Sequence, residues 1–405
     1  VCVLGKEGKM LRLPQRFARL PGGIGSRVGW GLNGRTESKM GLVARGLATM
    51  TPTRKSQNPT LEELQAFQPK IAVVGVGGAG SNAVNHMILK GMVGVDFLVC
   101  NTDAQALSQA LTPNRVQLGK ELTRGLGAGA KPDVGAEAAI QALPELQERL
   151  SSYDMVFLAA GMGGGTGTGA APVIAKALKE RNILTIAVVT SPFSFEGRVR
   201  TSSANRGIFD LERYVDTMIV INNQKLIKMA QDIGSSAKSN QMPLSRHRQP
   251  VQSKPAQNFT LFEAFREADE VLHQGVRTIT DLIVQPGLVN LDFGDVRTVL
   301  LSNQVLSDPN DPDSPRIIGK ALMGNGEAEG EGRAIAAAQI AVHNPLLDDV
   351  DLQGARGMLI NIAGSDDLSL AEVEEAASMI QQQAHEDAYI VWGATHDPSL
   401  RDRVR

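Results

Sequence analysis

Cysteine is almost absent. Cys2 and Cys100, the two among 405 residues, cannot staple a disulfide framework and fit no zinc-ligand spacing, so a reducing compartment is expected. No apolar run approaches the ~18 residues that a membrane-spanning helix requires. Acidic side chains are scarce at one end. Residues 1–58 carry only Glu7 and Glu37 against Lys6, Lys9, Arg12, Arg16, Arg19, Arg27, Arg35, Lys39, Arg45, Arg54 and Lys55. A formal charge of −2 for the whole chain therefore hides a basic start and an acidic remainder. An acid-poor, Arg-rich, Gly/Ser-bearing start reads as an organelle transit peptide, with Arg45-Gly46-Leu47-Ala48-Thr49 as a cleavage neighbourhood. The competing reading is a basic tail that contacts nucleic acid or lipid. The bias stops abruptly where the folded pattern begins, which favours the transit peptide. Residues 1–66 are thus expected to be a disordered leader. The chain opens on Val1 rather than Met, as expected of a piece of a longer protein.

Glycine is abundant, and its placement is informative. Short apolar runs at 70–75, 96–101, 155–160, 184–189 and 218–221 read as buried parallel strands. Between them lie segments of helical composition, such as 135–150 and 170–181. Strands alternating with helices imply a Rossmann-like, doubly wound α/β domain, here residues 67–258. In such a sheet ligands bind at the carboxyl ends of the strands, where the glycine clusters fall. Leu261, Phe265, Ala268, Leu272, Val276, Ile279 and Ile283 recur at three- or four-residue steps, a long amphipathic helix that Pro286-Gly287 stops. This connector, 259–286, leads to residues 287–405, where strand-like runs (298–301, 357–362, 389–392) and helical runs (333–342, 370–383) imply a smaller α+β domain. Two polar, proline-bearing stretches, 233–257 and 305–316, read as surface insertions without structure of their own.

Three glycine loops carry the chemistry. The first contains Gly75-Val76-Gly77-Gly78-Ala79-Gly80-Ser81-Asn82, in which Gly75, Gly77 and Gly80 satisfy G-x-G-x-x-G. Glycines let the backbone approach a diphosphate, and the helix that follows offers free N–H groups and a positive dipole end. Taken alone, this is equally the fingerprint of an NAD(P)-dependent oxidoreductase. The second loop runs Gly161-Met162-Gly163-Gly164-Gly165-Thr166-Gly167-Thr168-Gly169 between a strand and a helix. It forms a nest of backbone donors to which Thr166 and Thr168 add hydroxyls. It holds no lysine, so it is not a Walker loop, and phosphate charge must be offset by dipoles, Mg2+ and other loops. The third is Gly125-Leu126-Gly127-Ala128-Gly129-Ala130-Lys131-Pro132. Three loops suit a triphosphate wrapped from several sides. The second strand ends on Asn101-Thr102-Asp103, a polar turn that could contact Mg2+ through water.

These residues resemble the FtsZ family, the bacterial cell-division GTPases related to tubulin. The resemblance runs from about residue 68 to about residue 396. GGGTGTG at 163–169 is the specific signature, and Asn101-Thr102-Asp103-Ala104-Gln105-Ala106-Leu107, Pro192-Phe193-Ser194-Phe195-Glu196-Gly197-Arg198 and Asn290-Leu291-Asp292-Phe293-Gly294-Asp295 also match. Asn223-Gln224-Lys225-Leu226 and the stretch 268–282 look most like α-proteobacterial members. By that resemblance, Gly78 to Asn82 (Ala79, Gly80 and Ser81 between them) hold the α/β phosphates and Gly165-Thr166-Gly167 the β/γ phosphates, with Gly77, Gly163, Gly164 and Thr168 as further nucleotide-binding residues. Ala128-Gly129-Ala130 closes over the γ-phosphate, Glu196 and Arg200 contact ribose and phosphate, and Asn223 and Asp269 read the guanine. A carboxylate accepts from guanine N1–H and its exocyclic amine, donors that adenine lacks. Asn290, Asp292 and Asp295 are implied to be catalytic, reaching the GTP of the next subunit in a head-to-tail filament. Two carboxylates three residues apart can orient an attacking water.

The resemblance implies GTP/GDP, Mg2+ carried by the phosphates with no direct protein ligand, and a monovalent cation near the catalytic loop. It implies the chain itself as partner, with a second FtsZ paralogue as a further candidate, and no nucleic acid. With the basic leader it points to division of the mitochondrion, in the matrix, or else of the plastid, in the stroma. Family members continue past the position of Arg405 with a final strand pair and a tail that binds membrane tethers, so such partners are not foreseen here. A GTP-binding filament regulator with little turnover is the alternative within the same resemblance, motivated by the two insertions.

Overall fold

Uncharged, small or β-branched runs without alternation are buried on both faces, and the central strands behave this way. The computed structural model describes residues 2–5, 68–227, 260–285, 287, 289, 291–302, 304–306, 316–318, 320–347 and 354–405. The chain divides into two compact units, residues 1–7 with 69–405, and residues 8–68; the second lies outside the described residues except for Gln68. In the first unit, β2 (Ile71–Val76) is buried along its whole length. It pairs with β3 (Asp96–Asn101) on one side and β5 (Met155–Gly161) on the other. β4 (Arg115–Gln117), β6 (Leu184–Ser191), β7 (Thr217–Asn222) and β10 (Lys320–Met323) extend this sheet, giving seven parallel strands in the order β10-β7-β6-β5-β2-β3-β4. The chain starts at β2, winds outward through β3 to β4, then returns to β5 on the other side. That reversal puts a topological switch point between β2 and β5.

Alternate strand residues feed two cores. Ile71, Val73 and Phe157 meet α1 (Gly77–Leu89), α7 (Leu261–Val284) and α8 (Phe293–Ser302). Ala72, Val74 and Leu158 meet α4 (Pro132–Leu150), α5 (Thr166–Lys179) and α6 (Arg198–Glu212). Two short helices, α2 (Ala104–Ser108) and α3 (Lys120–Thr123), flank β4. The connector α7 starts on a capping box: Thr260 Oγ1 accepts from Glu263 N–H, and Glu263 Oε2 accepts from Thr260 N–H at 2.7 Å.

The smaller α+β part follows. β12 (Ala355–Gly364) and β13 (Tyr389–His396) run parallel, and a third core forms beneath α9 (Arg333–Val342) and α10 (Leu370–Gln381). β11 (Ala328–Glu329) pairs with β14 (Arg403–Val404), and β8 (Gln304–Leu306) with β9 (Arg316–Ile318). A long central helix thus joins a doubly wound α/β domain to a smaller α+β domain.

The structure departs from the sequence reading in three places. The strand-like run 298–301 is helical, within α8: Val296, Val299 and Leu300 fall on one buried face, and tertiary packing overrides the strand preference of the β-branched Thr298 and Val299. The basic leader lies outside the described residues except at Cys2–Gly5. Those four residues are not disordered but form β1, antiparallel to both β10 and β12, where they satisfy backbone groups on two edges that would otherwise be unpaired. The ends of the 305–316 insertion, Val305, Leu306 and Arg316, belong to the β8–β9 pair. Residues 307–315 and the 233–257 insertion lie outside the described residues.

Candidate functional site

The carboxyl ends of β2 and β5 flank the switch point, and each runs through glycines into a helix. Two helix N-termini, those of α1 and α5, therefore meet at one place, with unpaired N–H groups and positive dipole ends. Contact between the two loops requires glycine at Gly77. Its φ is +73°, and a Cβ there would lie 2.9 Å from the Gly167 nitrogen. The turn after β3 joins them, since the Thr102 and Thr166 hydroxyls share a hydrogen bond of 2.6 Å. The walls line an open cleft of about 260 Å³.

Eleven residues singled out from the sequence line this cleft: Gly78, Ala79, Asn82, Gly164, Gly165, Thr166, Gly167, Glu196, Arg200, Asn223 and Asp269. Others shape it from behind. Gly77 sets the approach of the two loops, and Gly80 packs against the Ala159 carbonyl. Ser81 is buried and donates to the Gly77 carbonyl at 2.7 Å. The Thr168 hydroxyl accepts from Gly163 N–H at 2.8 Å, which folds the glycine loop onto the start of α5. The third loop lies over Gly165: a Cβ on that glycine would be 2.9 Å from both the Ala128 Cβ and the Lys131 nitrogen, and 3.2 Å from the Ala130 nitrogen. Gly127, Gly129 and Ala130 all have positive φ, so this loop curls tightly against Gly165.

The β3 turn serves the loops rather than offering a free acid. Asp103 caps α2, accepting from Gln105 N–H at 2.8 Å and Ala106 N–H at 3.4 Å. Asn101 is buried, and its Oδ1 accepts from Asp103 N–H. A dinucleotide site would want an unengaged acid here for the ribose. At the rim, Glu196 Oε1 accepts from Phe193 N–H at 2.9 Å, while its Oε2 pairs with Arg200 Nη1 at 2.7 Å. Arg200 is the only cationic side chain on the cleft wall formed by described residues.

The other end is apolar with two polar groups. Phe265, Ala268, Asp269 and Leu272 fall at i, i+3, i+4 and i+7 on α7, one face of the helix, and all line the cleft. Phe193 braces Phe265 edge-on at 5.3 Å between ring centres. Asn223 is buried, and its Oδ1 has no hydrogen-bond partner among the described residues. A buried amide oxygen facing a cleft wants a donor from a ligand. Burial pushes the Asp269 carboxyl up to about 6, against the charge of His86, which holds it down. His86 lies in an ion cluster that fastens α1 to α7: Glu270 Oε2 takes His86 Nε2 at 2.8 Å and Lys90 Nζ at 2.9 Å.

Sequence reasoning passed over Thr102 and Phe265. Both carried a signal, Thr102 between two selected residues and Phe265 one helical turn before Asp269.

The residues expected to be catalytic lie elsewhere. Asp292 is exposed and caps α8, its Oδ1 accepting from Asp295 N–H at 2.7 Å. Neither it nor Asp295 lines the cleft, and Asn290 lies outside the described residues. From Asp269 to the end of α7 is fifteen residues, roughly 22 Å at the rise of an α-helix. The cleft and the Asp292/Asp295 turn therefore sit at opposite ends of the connector.

Residues 70–231 match the tubulin/FtsZ family GTPase domain, and residues 319–405 match the FtsZ family C-terminal domain. The chain is 51% identical over 339 residues to the cell division protein FtsZ of Caulobacter vibrioides, covering 84% of this chain and 59% of that protein. It is 47% identical over 358 residues to the FtsZ of a Wolbachia species, covering 85% and 80%. Among solved structures, an empty FtsZ dimer from M. jannaschii superposes with a TM-score of 0.71 at 39% identity, covering 85% of this chain and 88% of that one. The chain thus spans about three-fifths of the Caulobacter relative's length.

Proposed function

The chain belongs to the tubulin/FtsZ GTPase family, and from that premise we propose that it binds GTP in the cleft at the switch point and hydrolyses it only within a head-to-tail homopolymer, as the GTPase of an organelle division ring. One observation carries this reading. The cleft is walled by two helix N-termini and their glycine loops, and among the described residues its only carboxylates are Glu196, already engaged, and Asp269 on α7. The other two carboxylates, Asp292 and Asp295, lie beyond the far end of α7 and would need a second subunit to reach a nucleotide.

Each group has a role in this scheme. The α1 and α5 N-termini and their loops hold the phosphates through backbone N–H groups. Thr166, tied to Thr102, offers a hydroxyl, and the curled 127–130 loop covers the terminal phosphate. Asp269 accepts from guanine N1–H and the exocyclic amine, and Asn223 supplies an acceptor of its own. Phe265 gives the base an apolar face. Asp292 and Asp295 of the neighbour orient water for attack on the γ-phosphorus, and the helix dipoles stabilise the charge that develops. No cluster of three or more His, Cys, Asp or Glu among the described residues could hold a metal. Mg2+ carried by the phosphates would supply charge neutralisation during transfer. A contact of this kind joins unlike faces and propagates as a filament. The basic leader and the likeness to α-proteobacterial relatives favour the mitochondrial matrix as its place of work, which a reporter fused to residues 1–58 would test by where it accumulates.

GTP turnover per molecule should rise steeply with protein concentration and collapse in Asp292→Ala while GTP binding persists. Turnover independent of concentration would sink the shared site.

A further inference from the structure

β13 contains a glycine that its own backbone does not need. Gly393 sits in mid-strand, paired with Asn361 of β12, and is not among the residues of positive φ. Glycine in such a place weakens a strand unless something approaches closely, and here something does. A Cβ on Gly393 would lie 2.5 Å from Leu282 Cδ2, 3.2 Å from the Val289 carbonyl oxygen and 3.6 Å from Leu291 Cγ. Leu282 is in the last turn of α7; Val289 and Leu291 belong to the segment that delivers Asp292. Leu282 is 2% exposed, so it has little room to swing aside.

The same segment is pinned at the neighbouring residue. Val289 and Ala394 exchange backbone hydrogen bonds, Val289 N–H to Ala394 O at 3.4 Å and Ala394 N–H to Val289 O at 3.2 Å. The end of α7 is tied to the same strands. Arg277 Nη2 meets Oδ2 of Asp397, the residue after β13, at 2.8 Å, and Asn361 Nδ2 of β12 donates to the Thr278 carbonyl. The Asp292/Asp295 turn therefore takes its position from β13.

We propose that Gly393 is a positioning residue for hydrolysis: its missing side chain leaves the space in which Leu282, Val289 and Leu291 seat the Asp292/Asp295 turn against β13. This rests on the shared-site reading above. Gly393 touches neither the cleft nor the carboxylates, and acts only through where the turn lies.

The test is Gly393→Ala, assayed for GTP binding below the assembly concentration, for sedimentation with GTP, and for turnover. Binding and sedimentation should persist while turnover falls roughly 10- to 100-fold, the usual effect of an ångström-scale misplacement. Gly393→Ala/Leu282→Ala, which removes the nearest obstructing atoms, should recover most of that loss. Mixing supplies a second readout. Asp269→Ala lacks its guanine acceptor but presents an intact turn, so mixed with Gly393→Ala it should restore turnover above either variant alone. Asp292→Ala mixed with Asp269→Ala tests the shared site by itself. If that pair complements and the Gly393→Ala pair does not, the positioning role falls and the shared site stands. If neither complements, both fall. Wild-type turnover in Gly393→Ala, or a loss of binding or sedimentation that Leu282→Ala does not repair, also overturns the role of Gly393.

Discussion

Asp269 should make guanine recognition weaken in mild acid. Burial raises its carboxyl from the ordinary 3.8 to about 6 in the ligand-free protein. A protonated carboxyl no longer presents two acceptors to guanine N1–H and the exocyclic amine, so the ligand selects the ionised form. With a value of about 6, roughly nine molecules in ten are ionised at pH 7 and one in ten at pH 5. The apparent dissociation constant for GTP should then rise about tenfold across that interval, or about 1.4 kcal/mol. Phosphate groups of the nucleotide titrate in the same range, which is why Asp269→Asn is the needed companion. Both proteins share the phosphate titration, so the difference between them isolates the carboxyl. Asp269→Asn should bind more weakly at pH 7, by the ~1.5–3 kcal/mol of a charge-assisted hydrogen bond, and should lack the extra acid-side loss. Titration calorimetry below the assembly concentration, between pH 5 and pH 8, measures this.

Stability of the ligand-free protein should move the other way. A folded-state value raised above the unfolded one means that the contribution of Asp269 is fully present below pH ~4 and lost as pH rises through ~6. Acidification from pH 7 to pH 5 thus favours the empty fold at this residue while it disfavours GTP. A wild-type affinity for GTP that falls no more than that of Asp269→Asn between pH 7 and pH 5 would refute the reasoning.

Two further outcomes follow from the same contacts. Asn223→Ala should weaken GTP binding by up to about tenfold, one hydrogen bond's worth. Thermal denaturation of the empty protein should show no loss, because the change removes a buried acceptor that has no partner. Asp397→Asn should lower the melting temperature by removing the ion pairs to Arg277 at 2.8 Å and Arg405 at 3.0 Å. Burial pushes the Asp397 carboxyl up, but hydrogen bonds from Ser399 and the charges of Arg277 and Arg405 outweigh it and hold it below the usual range. Its stabilising contribution is therefore present above the unfolded value and disappears only below pH ~4, so denaturation at pH 7 should reveal the full difference between the two proteins.

The phosphate end was legible in the sequence because its chemistry is local. Strand, glycines and helix N-terminus are contiguous at 71–82 and again at 155–170, so spacing alone implied a cradle. The base end was less legible. Asn223 and Asp269 are 46 positions apart in the chain and meet only because α7 packs beside β7. Without the family resemblance, Asp269 would read as a solvated helix position. Thr168 shows the converse limit. Its residue type suited a phosphate ligand, but only coordinates reveal that Gly163 N–H takes its oxygen. The run 298–301 was misread because β-branched content outweighed a helical burial pattern that is only ten residues long. β1 could not be foreseen at all, since strand pairing across some three hundred residues leaves no local trace in a segment dominated by basic residues.

On the proposed function, the length of α7 is what separates binding from chemistry in this chain. A doubly wound sheet fixes its ligand at the switch point, beside the start of the helix that packs there. The helix runs 24 residues, and the carboxylate turn follows its far end. The rise of the helix from Asp269 to its end is roughly 22 Å, and neither Asp292 nor Asp295 lines the cleft, so on the proposed reading a single folded chain holds a nucleotide without threatening it. In the proposed head-to-tail stacking, a second copy would carry its own turn to the open end of the cleft. On the proposed shared site, turnover would follow contact between subunits, and each contact that forms would also expose its nucleotide to attack. Gly393 and the Val289–Ala394 bridge then matter more than their distance from the phosphates suggests, because they decide where the turn of one subunit stands relative to the nucleotide of the next.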